Sequence, residues 1–264
     1  MLGLLEYIAV TLPFATGSHA WWLLLVIAAL IVQSLLARQP YGDAYAALAT
    51  VVMLRMFVLL IPFDEALVGV RMWYPLIAWT TLVLVLVAAK ALEYSPHALG
   101  FSLLSPQRAR RYRWQGRALW ISGHAVLQLL LAAGGWLFAT QALRYAEPST
   151  PLALFVAEQP MALALGVLLF VGIVEELLLR GLLQHAFRRS LGWLPGLLYP
   201  VLLSSLLYSL EQPLPFVAFI AAWGVIAGLL RQLSGSLWGV ALARGVGNVL
   251  LHFSIAQLWA FYLA

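Results

Sequence analysis

The chain has 264 residues, 64% of them hydrophobic and 9% charged, and it contains no cysteine. An average soluble domain is about 25% charged, so the composition excludes an ordinary soluble domain; without a thiol it also excludes disulfides, thiolate catalysis and thiolate metal sites. The net charge of +5 does not point to nucleic acid, because the basic residues cluster in one loop between apolar spans, where they report topology.

The first fifteen residues, MLGLLEYIAVTLPFA, are apolar but short for a crossing. They lack a basic start and a cleavage site, so they read as a short first span or an interfacial helix rather than a removed signal peptide. Clear apolar spans follow at 20–37, 45–63, 72–92, 118–141, 160–187, 194–211, 214–230 and 236–261. They predict an all-α fold, a polytopic transmembrane bundle of about eight helices, and so a multi-pass protein of a bacterial inner (plasma) membrane. The polar interruptions at 94–117 and 142–159 are too short to bury a core of their own. The expected organisation is two parts. Residues 1–117 supply N-terminal membrane helices and a basic cytoplasmic loop, and residues 118–264 form the transmembrane core that carries the chemistry.

The loop SPQRARRYRWQGR holds Arg108, Arg110, Arg111, Arg113 and Arg117 and no acid. The positive-inside rule makes it cytoplasmic. Two crossings later, Arg188 and Arg189 fall on the same side. The loop between them holds Arg144, Glu147 and Glu158, with no net positive charge. The basic loop reads first as topology, and second as a dock for acidic lipid or substrate.

The segment VEELLLRGLLQ, residues 174–184, is the anomaly of the chain. Glu175 lies thirteen residues before Arg188, about 20 Å along a helix, near the middle of a bilayer. A charge there is expensive, from roughly 2.5 kcal/mol upward. Glu176 and Arg180 are four apart and can pair on one helix face. Glu175 is rotated by about 100° from Glu176 and needs a partner on another helix. In that position it is a candidate general base working near neutral pH. The competing reading is a buried ion-pair network that fixes helix register.

EELLLRGLLQ resembles the E-E-x-x-x-R motif of the CPBP family, also called Abi, which includes the CAAX prenyl endopeptidases. These are polytopic intramembrane proteases of a glutamic type formerly classed with the metalloproteases. The resemblance implies that Glu175 activates water and that Glu176 and Arg180 support the site. In the family a second helix carries an aromatic followed four residues later by histidine, and a third carries histidine followed four residues later by asparagine or aspartate. SSLLYSLEQP is similar to the second segment, with Tyr208 as the aromatic and Gln212, preceded by Glu211, at the histidine position. GSLWGVALARGVGNVL is similar to the third, with Arg244 at the histidine position and Asn248 retained.

Gln212 cannot titrate, and Arg244 is a permanent cation that can be neither a base nor a metal ligand. Zinc needs three or four His, Cys or carboxylate donors. The matched positions offer two carboxylates and an amide beside two arginines, so no metal and no cofactor is expected. Arg244 and Asn248, one turn apart, suit an oxyanion hole. His252 follows Asn248 by four residues and is the nearest substitute imidazole, whereas His185 and His124 read as core or interfacial histidines. Arg55 pairs with an acid or lines the internal cavity.

Three functions fit. The first is an endopeptidase acting on a peptide or on a lipidated or prenylated protein, including bacteriocin-type precursors, beside membrane lipid. The second is an inactive relative that binds or protects a partner. The third is a transporter using the intramembrane charges, against which stands the absence of repeated or inverted halves.

Overall fold

The computed structural model describes residues 19–60, 70–101, 134, 161–209 and 213–263. All regular structure among them is helical. The elements are α1 (His19–Leu36), α2 (Tyr41–Leu60), α3 (Val70–Ala91), the single turn α4 (Pro96–Leu99), α5 (Met161–Glu176), a π-helical segment (Leu177–Leu183), α6 (Gln184–Leu191), α7 (Trp193–Tyr208), α8 (Leu214–Ser234) and α9 (Trp238–Leu263). The all-α bundle read from the sequence is therefore present. The expected first fifteen residues, the basic loop, the boundary at 117/118 and, apart from residue 134, the 118–141 span lie outside the described residues.

α8 has 21 residues, and an 18-residue window of it has a mean hydropathy of 1.9, so it is long and apolar enough to cross a membrane. The outer surface of the bundle is apolar on several helices: Leu35 and Leu36 on α1, Val87 on α3, Leu202 on α7 and Leu214 on α8 are all exposed.

The sequence suggests one uninterrupted helix over 160–187, but the structure breaks it with the π segment. Five residues of an α-helix turn about 500°, so Leu177 and Leu182 would point about 140° apart. The wider i→i+5 winding brings residues five apart towards one side. Leu177, Leu178, Leu182 and Leu183 are all buried in one core with Ala44, Ala47 and Val51 of α2, Val85 and Ala89 of α3, and Leu99. The π segment is thus the hub on which the N-terminal helices pack.

Two short devices hold this hub to the C-terminal helices. Ser95 caps α4 by accepting from Ala98 N at 3.2 Å, and Gly100 closes it with φ 92°. That left-handed turn presents Gly100 O to Leu237 N at 2.8 Å and Ala98 O to Arg231 Nη2 at 3.0 Å. At the other junction, buried Asp43 accepts from Tyr94 Oη at 2.9 Å and pairs with Arg189 at 3.1 Å. Burial first, and then the Asp43 carboxylate, push the Tyr94 phenol above its ordinary range.

Candidate active site

The site begins at a close helix crossing. α5 and α9 pass each other at Gly172 and Gly245, where a Cβ on Gly172 would lie 2.6 Å from the Gly245 backbone. A Cβ on Gly245 would lie 2.8 Å from Leu169 O. Small residues let helix backbones approach this closely in membrane bundles. Glu175 stands three residues after one glycine, and Arg244 stands next to the other. The crossing therefore brings those two side chains together.

Arg244 Nε donates to Glu175 Oε2 at 3.0 Å. The same guanidinium donates from Nη2 to Tyr208 Oη, and its carbon lies 5.7 Å from the centre of the Tyr208 ring. Three helices, α5, α7 and α9, are thus joined through one planar cation. Asn248 is buried one turn further along α9.

Glu176 points elsewhere. Its Oε1 accepts from Arg180 Nη1 at 3.1 Å, and both side chains are almost fully buried. Its Oε2 is also buried, with no hydrogen-bond partner among the described residues. Arg180 fits because residue 224 of α8 is glycine: a Cβ there would stand 3.1 Å from Arg180 Nη2. One turn on, Gln184 Nε2 donates to Gly228 O at 2.9 Å. The two pairs leave two acids and two arginines, a locally neutral site, as a low-dielectric setting demands.

Exposure differs between the two acids. Glu175 is 35% exposed, whereas Arg244 is 7% exposed and Glu176 is 1% exposed. Of the six residues singled out in the sequence, five are placed: Glu175, Glu176, Arg180, Arg244 and Asn248. Gln212 lies outside the described residues. His185 packs edge-on against Tyr94 at 4.7 Å, towards the α3 end of the bundle. His124 and the side chains of His252 and Arg55 are also outside what is described. Among the described residues no group of three or more His, Cys, Asp or Glu could hold a metal ion.

Sequence reading noted Tyr208 only as an aromatic; its bond to Arg244 is new. Gly172, Gly224 and Gly245 were missed, although glycine inside an apolar helix is itself a sign of close approach. The Ser236–Leu237–Trp238 run at the start of the third segment is architectural. Ser236 Oγ accepts from Trp238 N at 3.4 Å, Leu237 is buried in the core, and Trp238 Nε1 donates to Phe101 O at 3.1 Å.

Residues 157–250 match the family model described as type II CAAX prenyl endopeptidase Rce1-like. No curated protein and no solved structure gives a match. The matched stretch contains the α5–α9 crossing, both glutamates and Arg180, Tyr208, Arg244 and Asn248. Over residues 157–250, then, the chain is similar to the Rce1-like domain of the CAAX prenyl endopeptidases.

Proposed function

We propose that the chain is an intramembrane endopeptidase that hydrolyses a peptide bond in a prenylated or otherwise lipidated peptide at the membrane surface. The observation that carries this reading is the partly exposed Glu175, held by Arg244 from another helix at 3.0 Å while the other site charges stay buried. Arg244 engages Oε2, and Oε1 of the same carboxylate takes a proton from water. The resulting hydroxide attacks the carbonyl carbon. Arg244 and Asn248 offer donors to the oxyanion that forms, which is where preorganised donors contribute most. Glu176 and Arg180 hold the helix from which Glu175 projects, and Gln212 completes the set assigned to catalysis. No cofactor or metal enters. The apolar outer surface and α8 support a multi-pass position in the plasma membrane, with lipid as the surrounding partner.

The test is cleavage of a prenylated peptide, fluorescent on one side of the bond and quenched on the other, by membranes carrying the wild type or Glu175→Gln. The wild type cleaves and the variant does not. Equal rates from the two would end the endopeptidase reading.

One observation favours a second reading, an inactive relative that binds such segments. The position matching a family histidine holds a permanent guanidinium, which cannot shuttle protons as imidazole does. An Arg244–Glu175 pair can serve a scaffold as well as an enzyme. Wild-type membranes that bind the prenylated peptide without cutting it would select this second reading.

A further inference from the structure

We propose that Tyr208 is the general acid of this site, its phenol delivering the proton that the departing amine requires. This rests on the endopeptidase reading above. Expelling an amine from a tetrahedral intermediate needs a proton on nitrogen, and a positioned acid supplies it. The residues at the two positions that match family histidines, Gln212 and Arg244, have no proton to give near neutral pH. Asn248 has none either, Glu176 is buried against Arg180, and the proton that Glu175 gains from water reaches nitrogen through Tyr208 in the step below.

Three features of Tyr208 fit the role. First, it is bound to the same guanidinium that holds Glu175, so base and acid meet neighbouring nitrogens, Nε and Nη2, of one planar group. Second, among the described members of the site Tyr208 and Glu175 are partly exposed, whereas Glu176, Arg180, Arg244 and Asn248 are buried. Reactants can meet these two. Third, its oxygen accepts from Arg244, so the O–H bond points away from the guanidinium, and the cation favours the phenolate left after donation. Phe216 of α8 sets the ring by an edge-on contact at 5.9 Å. Among the described residues, Arg244 from α9 and Arg180 from the π segment interact electrostatically with the phenol. Glu175 binds Arg244, Glu176 binds Arg180, and Glu211 is outside the described residues.

The step balances. Glu175 takes one proton from water, and the hydroxide oxygen bonds to the carbonyl carbon. On collapse the C–N pair moves to nitrogen, which takes the Tyr208 proton and leaves as the amine. The phenolate, held by Arg244, recovers a proton from Glu175, and both groups return to their starting forms.

The experiment compares wild type, Tyr208→Phe and Glu175→Gln on two prenylated substrates. One is the peptide amide. The other is an activated aryl ester, whose leaving group needs no proton. Tyr208→Phe should lower kcat on the amide on the order of 10²-fold, leave KM little changed, and keep near wild-type rates on the ester. The alkaline limb of the amide kcat profile should vanish with it. Equal losses on amide and ester would reveal a merely structural tyrosine and overturn the proposal, as would full activity on the amide. Glu175→Gln reads the parent hypothesis separately: if it cleaves like wild type, the endopeptidase reading fails and the acid role with it. Should Tyr208→Phe misfold, fluorotyrosine at position 208 keeps the ring and the hydroxyl. A downward move of the alkaline limb supports the role, and an unmoved limb overturns it.

Discussion

Gly172 and Gly245 face each other across the α5–α9 crossing, so closely that a Cβ on Gly172 would lie 2.6 Å from Gly245. The atoms in the way are backbone, which cannot yield without moving a helix. The Glu175–Arg244 bond at 3.0 Å is therefore a consequence of two missing side chains.

Gly172→Ala should push α5 and α9 apart. The expected loss is about 1–3 kcal/mol of stability, typical of overpacking, together with loss of peptide cleavage. Gly166, also on α5, is the control. Among the described residues nothing lies within 4 Å of a Cβ there, so Gly166→Ala should be neutral or slightly stabilising. Thermal unfolding in detergent reads both, and similar losses would show that the crossing is not special.

The two arginines should differ in kind. Arg180→Ala strands Glu176, which is 1% exposed, and breaking such a buried pair costs about 3–5 kcal/mol. Arg244→Ala leaves Glu175, which is 35% exposed and within reach of solvent. Screening should hold that loss to about 1 kcal/mol or less, while cleavage disappears. Unfolding temperature and cleavage measured side by side check the contrast, and an Arg244→Ala protein less stable than Arg180→Ala would contradict it.

Gly100 tests the staple between α4 and the C-terminal helices. Its φ of 92° penalises any side chain, and a Cβ would lie 2.7 Å from Arg231 Nε. Gly100→Ala should cost about 1–2 kcal/mol from the backbone alone, plus the displacement of Arg231. Adding Arg231→Ala removes the collision, so the double variant should be less destabilised than the sum of the singles. Additive values would mean that the two residues do not interact.

Chelation should leave cleavage unchanged. The donors gathered at the site are two carboxylates, a phenol and an amide beside two arginines, a poor zinc set. Protein purified without chelator should carry substoichiometric zinc. A one-to-one content that disappears in Glu175→Ala would overturn this and return His252 to consideration.

Much of this protein was legible as a string. Apolar runs of bilayer length can satisfy their backbone only as helices in lipid, so an all-helical bundle followed from composition and period. VEELLLRGLLQ stood out because charge in such a run is costly enough to need a reason. The i,i+4 spacing of Glu176 and Arg180 made their pair a local matter of helix geometry, and the pair is present at 3.1 Å.

Other features had no local cause. An α-helical reading of 160–187 was natural, because the π segment is imposed by leucines that must face α2 and α3 together, elements far away in sequence. The partner of Glu175 could be named only as a residue on another helix. Its identity depends on which helices cross, and at what depth, and that depth is set by the meeting of Gly172 with Gly245. The hydroxyl of Tyr208 gained meaning in the same way, from an arginine 36 residues further along. Periodicity and desolvation act within one helix, so the sequence by itself determined the helices and the buried charges. Pairing across helices depends on how closely backbones pack, and only the tertiary structure decided that.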